Sequence, residues 1–599
     1  MLQRARTLLK DVFGFDAFRP GQEEIVGAIL AGADVMAIMP TGAGKSLCYQ
    51  LPALVGDGLT VVASPLIALM RDQVAALRAT GIEAGALNSA NDPAENRRVQ
   101  DALFDGRLKL LYAAPERLAR PDTVDMLRRA GIRRLAIDEA HCVSQWGHDF
   151  RPEYLALGQL AEALGGVQTV ALTATADQAT RADIQARLFR SEPRLFIGGF
   201  DRPNLSLAMR AKKNTKARIV DFIEAHRGAS GIVYCSSRAR TEEMARFLSD
   251  NGHRSLPYHA GLPQPVRDAN QDAFLREDGL VMAATVAFGM GIDKPDVRFV
   301  VHADLPKTIE AYYQEIGRAG RDGLPAATLT FYGVEDIKLR RMQIEDSQAS
   351  DDQKRVEHQR LGALLALCEA PRCRRQTLLA YFGEKTEPCG NCDLCLEGAQ
   401  VFDGTVEAQK VMSAILRTGS RFGTEHLVNV LVGNETDAVL QYGHQSLPTF
   451  GVGKDRSRDQ WRSLIRQLYA AGLIWLDFTE FGRWSLTEEG AQVLRGKARI
   501  ELRADVLEKR SRSSRSGRTV ARDDSRADQV VLGELKALRR TLAADEGVPA
   551  YVVFADRTLI ELATVKPVTL SEMGAIHGIG QAKLARYGAL FLDAIARAR

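Results

Sequence analysis

From about residue 20 to 330 the chain alternates short apolar or β-branched runs with segments of helical period. Runs at 34–39, 60–64, 108–112, 135–138 and 169–173 are followed, after about residue 205, by runs at 231–234, 279–283 and 299–302. Apolar runs this short read as strands buried on both faces, and strands alternating with helices make parallel sheets. About 300 residues of such alternation is too long for one sheet, so two α/β lobes are expected, meeting near 198–204. The pattern then changes. Residues 405–497 read as helices followed by a stretch, 472–486, that alternates apolar and polar positions around Gly482. A hairpin after helices is the order of a winged helix. Residues 509–528 contain Lys-Arg-Ser-Arg-Ser-Ser-Arg-Ser-Gly-Arg without apolar periodicity and read as a flexible basic linker. A compact helical unit closes the chain from about Asp528.

Composition narrows the class. The 599 residues are 45% hydrophobic and 26% charged, ordinary globular usage that excludes collagen, coiled coil and wholesale disorder. No apolar run is long enough to span a bilayer. The first ten residues, Met1 to Lys10, carry charges where a signal peptide needs an apolar core, so a cytoplasmic location is expected. A net charge of +4 is too mild to argue for nucleic acid by itself. Cysteine placement says more. Cys48, Cys142 and Cys235 stand singly, whereas Cys368, Cys373, Cys389, Cys392 and Cys395 cluster. In a reducing compartment such clustering favours a metal over disulfides.

The candidate chemistry begins after the first run. Met39-Pro-Thr-Gly-Ala-Gly-Lys45-Ser46 joins an expected strand to an expected helix. Gly42 and Gly44 let backbone N–H groups surround phosphates, Lys45 can reach the β- and γ-phosphates, and the Ser46 hydroxyl can ligate Mg²⁺. The strict phosphate-loop motif has Gly where Met39 stands. Downstream, Arg134-Leu-Ala-Ile-Asp138-Glu139-Ala140-His141 puts two carboxylates at a strand end. Asp138 is suited to hold Mg²⁺ and Glu139 to polarise the attacking water of phosphoryl transfer.

These two motifs together, the second spelled Asp-Glu-Ala-His, resemble superfamily 2 helicases. Further segments fit in order. Phe15-Asp-Ala-Phe-Arg-Pro-Gly-Gln22 resembles the adenine-recognition motif, which would place Arg19 and Gln22 at the nucleotide with Gln22 reading the base. Leu172-Thr-Ala-Thr-Ala176 resembles motif III, and Ala284-Thr-Val-Ala-Phe-Gly-Met-Gly-Ile-Asp293 resembles motif V. Tyr313-Gln-Glu-Ile-Gly-Arg318-Ala-Gly-Arg321 resembles motif VI. The resemblance implies that Arg318 and Arg321 face the γ-phosphate from the second lobe, Arg321 as the arginine finger, and that Thr41 and His141 belong to the nucleotide site. A finger on a separate lobe would make hydrolysis depend on lobe closure.

Ser144-Gln-Trp-Gly-His-Asp-Phe-Arg-Pro152 looks like the aromatic-rich loop of the RecQ family. Pro65-Leu-Ile-Ala-Leu-Met-Arg-Asp-Gln73, Tyr258-His-Ala-Gly-Leu-Pro263 and Phe200-Asp-Arg-Pro-Asn204 match that family's wording as well. The resemblance covers nearly the whole chain. It implies an ATP-dependent DNA helicase, acting in recombination and repair, that translocates 3′ to 5′ on single strands. Trp146, His148, Phe150 and Arg151 would couple DNA to hydrolysis, their rings stacking on bases and Arg151 meeting phosphate; packing between lobes is the other use for such a loop. Implied cofactors are ATP, Mg²⁺ and Zn²⁺. Implied partners are single-stranded DNA, 3′-tailed or branched duplexes and single-strand-binding protein, with no membrane, the chain acting as a monomer.

The cysteines agree. Cys373, Cys389, Cys392 and Cys395 are spaced to close a tetrahedral Zn²⁺ site, and no His lies between Cys368 and Cys395. Cys368 sits in an apolar helix and is read as core; in the RecQ pattern the first ligand precedes an Arg pair, as Cys373-Arg374-Arg375 does. The terminal unit, with Val548-Pro-Ala-Tyr-Val-Val-Phe554 and His577-Gly-Ile-Gly580, resembles the HRDC domain. There Tyr551 could stack a base and Lys583 or Arg586 could meet phosphate, or Tyr551 could serve the core. The hairpin tip near Phe481-Gly482 is a strand-separating candidate, and packing is the alternative use of Trp475 and Trp484.

The expected fold class is therefore multidomain. Two α/β RecA-like lobes with parallel sheets (1–204 and 205–340) precede a helical zinc-binding module (341–402), a winged helix (403–498), a flexible basic linker (499–527) and a small all-α HRDC domain (528–599). A double-strand translocase that remodels protein–DNA complexes would lack the zinc module and winged helix. A silent adaptor would not keep Lys45, Asp138, Glu139 and Arg321 together. RNA unwinding stays compatible with the motor motifs alone.

Overall fold

The computed structural model describes residues 1–88, 91–144, 150–176, 178–289, 294–398, 400–477, 483–504 and 527–598. Two parallel sheets organise the first 332 residues. The first holds β1 (Val35–Ile38), β2 (Leu59–Ala63), β3 (Ala84–Leu87), β4 (Leu110–Ala113), β5 (Ile132–Ile137), β6 (Gln168–Thr173) and β7 (Arg194–Ile197), in the order β3-β4-β2-β5-β6-β1-β7. The second holds β8 (Leu205–Ala211), β9 (Ser230–Tyr234), β10 (Ser255–Tyr258), β11 (Val281–Ala284), β12 (Val297–His302) and β13 (Ala326–Tyr332), in the order β10-β11-β9-β12-β13-β8.

Every pairing in both sheets is parallel. Parallel neighbours need crossover connections, and helices supply them over both faces. That coverage explains strands such as β2, Leu-Thr-Val-Val-Ala, in which every residue is buried. The strand order matters for the site. β5, β6 and β1 are consecutive neighbours near the middle of the first sheet, so the loops leaving their carboxyl ends converge.

The helix Asp351–Cys368, started by a Ser350–Gln353 capping box, leads into the cysteine module. The helix Arg374–Tyr381 and the short helix Asp393–Glu397 flank the cysteines. A buried ion pair joins this module to the second lobe: Arg374 Nε and Nη2 donate to Asp393 at 2.5 and 3.0 Å, and Asp393 Oδ2 also accepts from the Met209 N–H of β8 at 3.0 Å. Arg374 Nη1 donates to the carbonyls of Leu367 and Cys368, so both charges are satisfied as burial demands.

Next come β14 (Gln400–Asp403), four helices (Thr405–Arg417, Thr424–Val432, the short Asp437–Gln441 and Arg458–Ala470) and the antiparallel hairpin of β15 (Ile474–Asp477) and β16 (Arg483–Leu486). Its two tryptophans separate in role. Trp484 is buried, donates from its indole to Thr424 Oγ1 at 3.1 Å and meets Tyr469 edge-on at 5.2 Å. Trp475 is 43% exposed, with the Arg341 guanidinium 4.1 Å from its ring centre. The tip with Phe481 and Gly482 lies outside the described residues.

One expected boundary shifts. Residues 501–504, assigned from sequence to the linker, form β17 (Glu501–Ala504), antiparallel to β14. Leu502 is buried and packs on Gly404, where an added Cβ would come within 2.4 Å of it, so this short strand closes the preceding domain. The basic stretch 505–526 lies outside the described residues. The terminal helices Gln529–Asp545, Asp556–Val565 and Gln581–Arg597 enclose their own core, including Leu535, Phe554, Leu562 and Phe591.

Candidate nucleotide site and metal centre

The phosphate loop leaves the buried strand β1 and enters the helix Lys45–Val55. Gly42 and Gly44 have φ of +84° and +80°, a region open to Gly and strained for other residues. Space is also short: a Cβ on Gly44 would lie 2.5 Å from Gln22 Nε2. Gln22 is buried and tied to this loop. Its Oε1 accepts from the Arg19 N–H at 2.8 Å, and its Nε2 donates to the carbonyls of Ala43 and Gly44 at 2.9 and 3.2 Å. Arg19 donates to the Gly42 carbonyl. The Lys45 ammonium rests 3.5 Å from the Met39 carbonyl.

The acidic pair follows β5. Asp138 is buried, and burial first, then the neighbouring Glu139 carboxylate, push its pKa above the ordinary carboxylate range, while Lys45 opposes the shift. Glu139 has φ +49°, a left-handed conformation uncommon outside Gly, Asn and Asp. Its Oε2 lies 3.4 Å from His141 Nδ1, which in turn is 2.9 Å from Thr173 Oγ1 at the end of β6. His141 is fully buried and does not line the cavity; it sits behind Glu139 as a support.

The second lobe completes the site. A cavity of about 620 Å³ is lined by Thr41, Gly42, Gly44, Lys45 and Ser46 of the loop, by Asp138 and Glu139, and by Arg318 and Arg321 across the cleft. That volume suits a nucleotide-sized ligand. Arg318 is buried, and the Arg321 Cγ lies 3.5 Å from where a Cβ on Gly42 would stand. One residue that the sequence reading gave no role ties the lobes together. Arg202 donates to the Thr41 carbonyl of the phosphate loop at 2.5 Å and to the carbonyls of Ala319 and Gly320, in the motif VI segment, both at 2.9 Å. Gln314 adds a bond to Thr175 Oγ1 at 3.2 Å. Arg202 lies in the Phe200-Asp-Arg-Pro-Asn204 segment already singled out, which was the available signal.

Of the coupling loop, Trp146 and His148 lie outside the described residues. Phe150 is half-buried. Arg151 donates through Nη1 to the Pro65 carbonyl at 3.0 Å, and its backbone N–H bonds the Cys142 carbonyl at 2.9 Å, one turn beyond Glu139.

The cysteines do converge. The sulfurs of Cys373, Cys389, Cys392 and Cys395 all lie within 4.8 Å of one another, and Cys392 Sγ is 4.0 Å from Cys373 Sγ. Tetrahedral zinc at about 2.3 Å from each sulfur requires edges of about 3.8 Å, so the donor set fits. Cys368 is buried outside this cluster, and burial pushes its thiol well up. In the terminal unit Tyr551 is half-buried and lines the nucleotide cavity rather than a separate surface. Arg586 is paired with Glu546 at 2.9 Å, and the Lys583 ammonium lies 5.9 Å from the Phe554 ring.

Two RecA-like lobes with phosphate loop, acid pair and facing arginines define a helicase-type ATPase motor. Matches to known families run the length of the chain: DEAD/DEAH box helicase at 19–184, helicase conserved C-terminal domain at 214–323, RecQ zinc-binding at 334–396, RQC domain at 398–511 and HRDC domain at 528–595. The chain is 44% identical to the ATP-dependent DNA helicase RecQ of Pasteurella multocida over 99% of its length and 94% of that protein. It is 43% identical to the Haemophilus influenzae counterpart, over 99% and 95%, and 38% identical to that of Bacillus subtilis, over 99% of each. The chain belongs to the RecQ family, with a single HRDC domain. It uses ATP with Mg²⁺ and carries zinc.

Proposed function

We propose that this chain hydrolyses ATP on single-stranded DNA and uses the resulting lobe movement to translocate 3′ to 5′ and unwind duplex DNA, in recombination and repair. The observation that carries the reading is the single cavity joining Lys45, Asp138 and Glu139 of the first lobe to Arg318 and Arg321 of the second. Phosphoryl transfer needs charge compensation and positioning more than covalent chemistry. In this reading Thr41, Gly42, Gly44 and Lys45 cradle the phosphates, Arg19 and Gln22 hold the loop at its adenine side, and Glu139, braced by His141, orients the attacking water. Ser46 and Asp138 would hold Mg²⁺, which neutralises charge on the phosphate oxygens when bound. Arg321 meets the γ-phosphate only when the lobes close, and Arg202 keeps the two loops in register.

Cys373, Cys389, Cys392 and Cys395 hold the zinc and thereby fix the module that leads to the winged helix. The loop bearing Trp146, His148, Phe150 and Arg151 senses DNA. Its support is the Arg151 N–H on Cys142, which links that loop to the turn carrying Glu139. The partners are single-stranded DNA, 3′-tailed or branched duplexes and single-strand-binding protein, met in the cytoplasm by a monomer. Among the described residues no helix is long and apolar enough to cross a membrane.

Lys45→Ala tests the site. Turnover should fall below a tenth of the wild-type rate and unwinding should stop, with single-stranded DNA affinity within about twofold, because the ammonium serves the transferring phosphoryl group. Turnover above that tenth would remove Lys45 from the role.

A further inference from the structure

The nucleotide cavity has a third wall. Beside residues from both lobes, its lining includes Tyr551, Arg557 and His577 of the terminal helical domain. That domain is seated across the cleft. On the first lobe the Gly578 N–H donates to the Gly14 carbonyl at 2.8 Å, and the His577 ring lies 5.4 Å from Phe15. A Cβ on Gly580 would stand 2.7 Å from the Val12 carbonyl oxygen and 2.9 Å from that of Asp11, so the two backbones meet where a side chain would not fit. On the second lobe Arg539 faces Asp278 at 3.7 Å, and Arg276 donates to the Gly547 carbonyl at 3.3 Å.

Arg557 has no evident structural duty. It is exposed, and among the described residues its guanidinium makes no hydrogen bond or ion pair. It lies near the motif VI loop, 3.9 Å from where a Cβ on Gly323 would stand; burial first, and then the nearby Arg557 charge, hold the Arg19 guanidinium and the His577 imidazole below their usual pKa ranges. Arg19 and Arg557 line the same cavity, and a guanidinium pairs well with phosphate oxygens.

We propose that Arg557 is a nucleotide-binding residue, contacting the polyphosphate of ATP, and that the docked terminal domain thereby strengthens nucleotide binding at the motor. This rests on the cavity being the ATP site. Undocking the domain then weakens ATP binding without touching either lobe's own motifs.

The test uses the full-length chain. Arg557→Ala should weaken binding of a fluorescent ATP analogue about tenfold, as expected for loss of a charge-assisted contact. Arg557→Lys should recover part of the loss, and competition by adenosine, which lacks phosphate, should be unchanged. Gly580→Ala, whose Cβ would strike Asp11 and Val12 of the first lobe, should reproduce the loss with Arg557 intact. Matched far-UV circular dichroism and melting curves confirm that each variant folds. Unchanged affinity in Arg557→Ala overturns the contact, and tighter binding in Gly580→Ala overturns the direction by making the domain an occluding lid. Lys45→Ala run alongside separates the two readings: normal binding and turnover there means that the cavity is not the ATP site at all.

Discussion

The nucleotide cavity and the cysteine cluster are built in opposite ways. The cluster draws its four sulfurs from one short segment, Cys373 to Cys395, and the adjoining Arg374–Asp393 pair is buried and fully bonded to the second lobe. The cavity draws its lining from Phe15 to His577, across both lobes and the terminal domain, and its cleft is bridged by hydrogen bonds from side chains such as Arg202 and Gln314. A local, saturated site is permanent. A site shared among bodies forms and dissolves as they move, which is what a motor needs.

The contrast can be broken at either end. Cys392→Ala should have the largest effect, because Cys392 is buried and metal binding contributes directly to the folding of such modules. Zinc measured by elemental analysis should fall from one per chain toward none, and folded yield should fall with it; full stability without metal would refute the permanent-site reading. Cys368→Ala is its control and should keep the metal. Arg321→Ala should cost turnover by about 10³-fold or more while nucleotide affinity stays within a few-fold, since a finger acts on the transition state. A large affinity loss with normal turnover would make Arg321 a ground-state contact.

The smallest expected effect is on stability. Burial and Glu139 hold the Asp138 pKa at about 7, above its ordinary value, so the folded state favours the protonated acid, and ionising it costs stability as pH rises through that value. Asp138→Asn removes this cost. Melting of the first lobe should rise by about 2–4 °C above pH 7, the gain shrinking as pH falls and vanishing below about pH 4, where the unfolded carboxyl also becomes protonated, while turnover is lost. A destabilised Asn variant at pH 8 would show that the carboxylate is satisfied in the fold.

The split also decided what could be read from sequence. Strands rich in β-branched residues, such as β2, β6 and β12, stand out in the pattern, whereas β3 reads Ala-Gly-Ala-Leu and β10 reads Ser-Leu-Pro-Tyr, too small or too polar to signal a strand. Lys45, Asp138, Glu139 and the four cysteines were legible because their chemistry is written in adjacent residues. β17 was hidden beside a basic run. Arg202's bridge and the seat of the terminal domain on Gly14 were hidden for another reason: both depend on contacts between distant parts of the chain, which no local pattern records. His141, grouped with the nucleotide residues by resemblance, lies one layer back, buried beside Glu139.

The most direct test of the motor account is strand displacement measured beside ATP hydrolysis, using 3′-tailed DNA, 5′-tailed DNA and a matched RNA duplex. The account predicts hydrolysis stimulated by single-stranded DNA and ATP-dependent opening of the 3′-tailed DNA alone, both lost in Arg321→Ala. Hydrolysis indifferent to DNA, or equal opening of the 5′-tailed or RNA substrate, would contradict it.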